Sequence, residues 1–284
     1  MKFKNKIFRG CVTISLVVNK ELAFKLEESE INTLMSRLTL IQSMDENPMG
    51  VDIKKFGNAT AFSIKNIPGP SFNTVKGLQE GDEAQIERII EFYKSKDIPV
   101  RFEISPAHTS PKLLASLMEA GFYHHDFHST LYAYISTYNE TSNESHGDIT
   151  IRKLESHEFD IFADIYTKGF QMPEFLRDGV AQNNAVLFKK KNWTFYIAFY
   201  NDVPAGVGVI YIQDRVATLS ASTTIPEYRN RGIHSTLIKR RINKALLEKC
   251  DLIVGQAKFG SVSQNNMERA GLGLAYTKAI WIPQ

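Results

Sequence analysis

The chain has 284 residues, 43% hydrophobic and 23% charged, with a net charge of +3 at pH 7. These proportions are those of an ordinary globular protein, and the length fits two domains or one large one. So small a charge gives no basic footprint for nucleic acid, and no apolar run is long enough to span a bilayer. Cys11 and Cys250 offer neither a disulfide framework nor a zinc spacing, which fits a reducing cytoplasm.

At the N-terminus, Lys2, Lys4, Lys6 and Arg9 precede the apolar run Cys11 to Val18. Thr13 and Ser15 interrupt the run and no small-residue cleavage site follows. It reads as a strand or a loose extension rather than a secretory signal. Ile86, Ile89, Ile90 and Tyr93 have the three-and-four spacing of a helix packed on a sheet. A strand over Phe102 to Ile104 and a helix ending in Ala120-Gly121-Phe122 follow. His124, His125 and His128 cluster next, but no carboxylate or thiol completes an open site. They read as solvated or interdomain histidines, and no metal is expected. The polar stretch Ser136 to Asp148 buries no face and predicts an exposed linker over 137–147, between domains at 1–136 and 148–284.

The second domain begins with a strand over Asp148 to Leu154. A helix over Ser156 to Phe170 follows, with Ser156 as its N-cap and Phe159, Phe162, Ala163, Tyr166 and Phe170 on one face. Gln171-Met172-Pro173-Glu174 breaks it before a second short helical stretch containing Phe175, Leu176, Val180 and Val186. Trp193 to Phe199 and Ala205 to Ile212 pair as strands, and Val216 to Thr224 forms a third. A helix over Ile233 to Leu247, a strand over Leu252 to Val254, a helix over Ser263 to Ala270 and a strand over Leu274 to Ile282 complete the order.

The halves repeat. A gapless shift of about 150 residues lays Leu117-Met118-Glu119-Ala120-Gly121-Phe122 on Met267-Glu268-Arg269-Ala270-Gly271-Leu272. The same shift lays Phe102 to Ile104 on Leu252 to Val254. Each half therefore runs helix, strand, helix, glycine turn, strand.

The segment between the third strand and its helix carries the chemistry. Arg229-Asn230-Arg231-Gly232-Ile233-His234-Ser235-Thr236 is a basic turn opening a helix. Such a turn aims backbone N–H groups at one point beside the positive end of the helix dipole, which suits a phosphate. Gly232 lets the backbone come close to a ligand, and the arginines add charge. Lys239, Arg240, Arg241 and Lys244 further along either meet a remaining phosphate or form the solvent face of the helix.

This element order, with Pro226-x-x-Arg229-Asn230-Arg231-Gly232-Ile233 at the strand–helix junction, resembles the GNAT superfamily of acyl-CoA N-acyltransferases. The family signature is Arg/Gln-x-x-Gly-x-Gly/Ala; here it reads Arg229-x-x-Gly232-x-His234, with a larger residue at the last position. The whole chain beyond the first twenty residues is similar to bacterial tandem-GNAT proteins. The resemblance implies an α/β fold of two tandem GNAT-like domains, each a mixed, mostly antiparallel sheet flanked by helices. By the resemblance, Phe72-Asn73-Thr74-Val75-Lys76-Gly77-Leu78 sits where the first domain should have its cofactor loop; Gly77-Leu78-Gln79-Glu80-Gly81-Asp82-Glu83 is acidic and has no arginine pair, and its three carboxylates would repel a pyrophosphate, so the first domain is expected to be degenerate.

The resemblance further implies that acetyl-CoA is the co-substrate. Its pyrophosphate would lie on Arg229, Asn230, Arg231, Gly232, Ile233, His234, Ser235 and Thr236. Its pantetheine arm would lie along Ser222, Thr223, Thr224 and Ile225, where the third strand splays from its neighbour. An N–H near Thr224 would polarise the thioester carbonyl. Asn265 and Asn266, on the second helix, would lie near the sulfur; one bonds the pantetheine or a water, the other starts the helix. The family often has a tyrosine acid at the position of Met267, and a thioether cannot give up a proton. Tyr276 then becomes the candidate acid and Glu174 the candidate base, while His234 is either a base or a packed residue at the helix start. The expected partner is a small amine acceptor, with no nucleic acid and no membrane, and the expected assembly is a monomer or homodimer. The alternative is a protein that binds or senses acyl-CoA without turnover.

Overall fold

The computed structural model describes residues 17–67, 69, 72–139 and 145–284. The basic N-terminal segment, most of the apolar run after it, Cys11 and residues 140–144 of the expected linker lie outside these. The first half contributes α1 (Lys20–Gln42), β1 (Val51–Phe56), β2 (Ala59–Ile64), β3 (Thr74–Lys76), α2 (Ile86–Lys94), β4 (Phe102–Ile104), α3 (Pro111–Glu119) and β5 (Phe122–Tyr134). The second contributes β6 (Ser145–His146), β7 (Ile149–Lys153), α4 (Phe159–Phe170), α5 (Arg177–Phe188), β8 (Trp193–Tyr200), β9 (Val203–Gln213) and β10 (Val216–Thr224). It closes with α6 (Ile233–Leu247), β11 (Leu252–Lys258), α7 (Val262–Arg269) and β12 (Gly273–Pro283).

Among the described residues the sheets of the two halves fuse into one sheet of twelve strands, in the order β1-β2-β3-β4-β12-β5-β11-β10-β9-β8-β7-β6. Among the described residues only β3·β4 and β10·β11 pair in parallel, each across a helical connection, so both halves carry their parallel pair at the same place. At the centre the halves exchange their last strands. β12 pairs with β4 through Ala279↔Ile104 to Trp281↔Phe102, and β5 pairs with β11 through Leu252↔Tyr134 to Lys258↔His128. β5 and β12 also pair with each other along most of their length. Neither half completes its sheet alone, since each central slot is filled by the other's strand.

Strand alternation sorts the helices. Val254 and Leu252 face α1, with Leu22 and Leu26, whereas Ile253 faces α6, with Leu237 and Ile238. One layer thus holds α1, α4 and α5, and the other holds α2, α3, α6 and α7. Helix α4 starts at Phe159, three residues later than the sequence suggests. Its N-cap is Glu158, whose carboxylate takes a bidentate pair from Arg152 (2.6 and 2.7 Å), and Ser156 lies in the preceding turn. Arg152 thereby holds the Glu158 carboxyl down at about 2.

Candidate active site

Beyond Leu219 the sheet opens. Parallel pairing of β10 with β11 runs from Val216↔Leu252 to Leu219↔Gly255 and stops. Its pairing with β9 shifts register between Leu219 and Ser222, then resumes at Ser222↔Gly208. The bulge turns the end of β10 away from β11. The Ile225 N–H goes to the Ala205 carbonyl on the β9 side (2.9 Å). By alternation, the N–H groups of Ser222 and Thr224 point to the edge that β11 has left.

A cleft of about 610 Å³ lies at this open end, over the start of α6. Ser222, Thr223, Thr224, Arg229, Asn230, Gly232, Ile233, His234, Ser235, Asn265 and Asn266 line it. Eleven of the fourteen expected cofactor residues therefore share one wall. Ile225, Arg231 and Thr236 do not line it. The Arg231 guanidinium lies 4.7 Å from the Tyr200 ring centre and 5.7 Å from that of Tyr228. The Thr236 hydroxyl bonds back to the Gly232 carbonyl at 3.0 Å.

The turn has the geometry of an anion cradle. Asn230 and Gly232 take left-handed φ of 61° and 85° on either side of Arg231, an alternation that points successive N–H groups inward. No side chain caps α6, so the N–H groups of its first turn keep the positive end of the dipole open. Arg229 is tied down: Nη2 donates to the Gly169 carbonyl at 2.7 Å and Nε to the Thr224 carbonyl at 3.3 Å. Its charge is fixed at the end of β10. No carboxylate lines the cleft among the described residues.

The sequence reading missed Tyr228, Val262, Ser263 and Arg269, which complete the wall. Arg269 carries a signal that could have found it: it lies four residues after Asn265, on the same helical face. Its Nη1 donates to Asn266 Oδ1 at 3.2 Å. That fixes the amide so that Asn266 Nδ2 meets His234 Nδ1 at 3.1 Å. Nδ1 is then the acceptor, and the proton of the neutral ring sits on Nε2. Burial, with the nearby Arg241 charge, pushes His234 down to about 4, so the ring is neutral at pH 7.

His234, Ser222 and Ser263 also line a second, smaller cavity of about 160 Å³, bounded by Leu219, Ser220, Gln256, Arg241 and Met267. It runs from the cleft into the split between β10 and β11. Met267, packed over Gly255, forms its wall where the resemblance places a tyrosine. Leu219, Ser220 and Gln256 line in turn a third cavity, of about 320 Å³, reaching α1. The shared lining residues set the three side by side along the split.

Neither expected proton carrier lines any of the three cavities. Tyr276 is buried with Leu22, Leu26, Tyr132 and Val254 on the α1 face, because its position on β12 points it there. Burial raises its hydroxyl well above the usual range. Glu174 is exposed on the short 3₁₀ turn between α4 and α5 and lines none of the three cavities. The solvent-face reading of the basic run on α6 suits Lys239 but not Arg241. Arg241 is 1% exposed, with Nε on the Leu237 carbonyl (3.1 Å) and Nη1 on that of Val209 (3.2 Å). Burial lowers it to about 10. His124, His125 and His128 do not gather, and no group of three metal-ligating side chains exists among the described residues. No helix among the described residues is long and apolar enough to cross a membrane.

Comparison with known proteins agrees with this geometry. Residues 158–267 match the acetyltransferase (GNAT) family, so the chain carries a GNAT domain running from the start of α4 to Met267 on α7. That match supports acyl transfer from acyl-CoA. The fold of the whole chain is similar to a GCN5-related N-acetyltransferase from Kribbella flavida, with a TM-score of 0.63 at 13% identity over 92% of this chain and 95% of that one. It is also similar to a tandem GNAT protein from the clavulanic acid biosynthesis pathway, with a TM-score of 0.61 at 11% identity over 90% and 95% of the two chains. A GCN5-related N-acetyltransferase from Sphaerobacter thermophilus gives a TM-score of 0.59 at 12% identity over 88% and 91%. At such identities these likenesses concern the fold. No curated protein matches the sequence.

Proposed function

We propose that the protein is a cytoplasmic N-acetyltransferase. It would move the acetyl group of acetyl-CoA to an amine by direct attack, using the second half (148–284) as the catalytic domain and the degenerate first half (1–136) as its support. One observation carries the reading: an uncapped cradle, free of carboxylates among the described residues, lies beside the split between the parallel strands β10 and β11. The pyrophosphate would lie on the turn from Asn230 to Ser235, with Arg229 and Arg269 supplying charge. The pantetheine would continue the sheet along the free edge at Ser222 and Thr224, whose N–H groups face it, and Asn265 and Asn266 would flank it. A thioester placed there would have a strand N–H near its carbonyl oxygen. The amine nitrogen forms the new C–N bond, the C–S bond breaks, the nitrogen's surplus proton leaves to solvent, and the thiolate is protonated to free CoA. His234, a neutral ring with its proton on Nε2, lines both the cleft and the smaller cavity, and it replaces Tyr276 and Glu174 as the group to test.

The cavity wall at Met267 favours a second reading, binding without turnover. Thiol release from acetyl-CoA over an amine panel separates the two, with calorimetry as the control. Tight acetyl-CoA binding without release from any amine would leave only the binding role.

A further inference from the structure

One wall of the smaller cavity is a buried cation. Arg241 reaches it from α6 and is 1% exposed. Its hydrogen bonds to Leu237 and Val209, at 3.1 and 3.2 Å, end on backbone carbonyls. Gly208 makes room for the guanidinium against β9, since a Cβ there would meet Arg241 Nε at 3.3 Å and Cζ at 3.5 Å. Burial lowers the group to about 10 and no acidic side chain offsets this, so it stays charged at pH 7 without a counter-ion. The same charge, with burial, pushes His234 down to about 4. No carboxylate lines either this cavity or the cleft among the described residues. A buried charge is costly unless it is paired, and a guanidinium matches the two oxygens of a carboxylate.

The cavity lies where an acyl group would extend. Ser222, His234 and Ser263 border both it and the cleft. Ser222 also begins the free edge of β10, on which the thioester is expected. Parallel pairing ends at Leu219↔Gly255, and Leu219 and Gln256 stand on the two sides of that parting. Leu219, Ile238 and Met267 give the cavity apolar walls, while Ser220, Gln256 and Arg241 give it hydrogen-bond donors. Gln256, which borders the cavity against α1 as well, has a buried Nε2 with no hydrogen-bond partner among the described residues. An acetyl group places a single methyl beyond its carbonyl. The cavity, at about 160 Å³, offers far more room than that; one of about 150 Å³ holds a six-carbon ring. A longer hydrocarbon tail would suit the apolar walls but leave a cation and an unpartnered amide facing a methyl group. A tail ending in a carboxylate suits both.

We propose that this cavity selects an acyl group with a terminal carboxylate, malonyl or succinyl, as the group carried by CoA. The proposal rests on the transferase reading above and changes only which acyl group is preferred. The carboxylate pairs with Arg241 and accepts from Gln256, and the hydrocarbon between it and the thioester lies along Leu219, Ile238 and Met267. The bonds that change are those of any acyl transfer. The amine nitrogen bonds to the thioester carbon, the C–S bond breaks, the nitrogen's surplus proton leaves to solvent, and the thiolate takes up a proton to give CoA. The terminal carboxylate passes through unaltered, so the acceptor leaves with an amide that bears a negative charge.

Calorimetry on the full chain tests this without a known acceptor. Acyl-CoA pairs of matched length are compared, succinyl against butyryl and malonyl against propionyl, with acetyl-CoA and CoA as references. Within each pair a carboxylate replaces a methyl. We expect the better carboxylated member to bind at least about tenfold more tightly than its partner, the worth of one charge-assisted hydrogen bond. The pair with the larger ratio gives the chain length. Arg241→Gln should bring that ratio below about threefold, with circular dichroism to verify folding. If the variant does not fold, the ratio in the native protein decides. Ratios of one or less in both pairs, with acetyl-CoA bound, overturn the acyl class and leave the transferase reading intact. A ratio kept in folded Arg241→Gln puts the carboxylate elsewhere and overturns the assignment to this cavity. If no CoA species binds, the transferase reading falls and the proposal falls with it.

Discussion

The two halves present the same turn with opposite chemistry. In each, a strand of the parallel pair ends near a glycine with positive φ, Gly77 at 75° and Gly232 at 85°, before a helix on the same face of the sheet. In the first half the turn is occupied by the protein itself. Glu27 accepts the Gly77 N–H at 3.2 Å, Asp82 accepts those of Asn58 and Gln79 at 3.2 Å each, and Glu83 accepts that of Gly81 at 3.3 Å. These carboxylates stand where a phosphate would lie in the second half. The acidic loop therefore does more than repel an anion, because its carboxylates and Glu27 of α1 engage backbone donors of the turn itself. A duplicated backbone keeps its N–H geometry, and a few carboxylates decide whether those donors meet a ligand.

The comparison is most easily broken at Gly232. Gly232→Asp would copy the first half's device into the second. A carboxylate beside a pyrophosphate is opposed by a few kcal/mol at an effective dielectric near 20. Acetyl-CoA affinity in calorimetry should fall on the order of 100-fold or more, with the circular dichroism spectrum retained; unchanged affinity would falsify the cradle.

A second expectation concerns His234. Its folded-state value, about 4, lies below the ordinary 6.5, so between these the unfolded chain binds more protons. Its contribution to stability is complete above pH 6.5 and is lost as pH falls toward 4, by at most about 3 kcal/mol. His234→Asn should flatten the melting temperature over that window. An equally steep profile in the variant would show that the ring is not held neutral.

Arg231 is the control for the cradle. It stacks on Tyr200 and Tyr228 outside the cleft, so Arg231→Ala should change acetyl-CoA affinity less than about threefold, within the range of exposed charges. A loss as large as that at Gly232 would move the phosphate site outward. The smallest effect is expected in the first half. Asp82→Asn with Glu83→Gln keeps side-chain acceptors on the same N–H groups, and calorimetry should still show one acetyl-CoA per chain. A stoichiometry of two, in the native protein or the variant, would end the contrast between the halves.

Much of this was legible in the sequence because local signals carried it. The 150-residue repeat, the Gly232 turn and the polar face of α7 depend on spacing alone, and eleven expected residues meet in one cleft. What escaped has physical causes. Helix α1 has weak amphipathic periodicity because its buried face carries Glu27, Ser29, Thr33 and Arg37. The polar residues that α1 buries thus hide the helix that bears them. The exchange of β5 and β12 leaves no trace either, since a repeat aligns equally well whether its strands pair within a half or across halves. Tyr276 was chosen by nearness in sequence to Met267, but alternation on β12 sets it on the far face. Arg241 follows Lys239 and Arg240 in sequence, yet α6 turns it inward onto backbone carbonyls of its own helix and of β9.

The exchanged strands also set an order on synthesis. The slot beside β4 waits for β12, which the ribosome makes more than 150 residues later, so a nascent first half carries an open central edge. Pairings this distant in sequence form slowly, and unpaired edges invite association with other chains. Meanwhile the Lys278 ammonium that balances Glu30 and Glu103 is absent. The cavity beside α1 therefore cannot acquire its charge pattern before β12 arrives, and the two halves mature together.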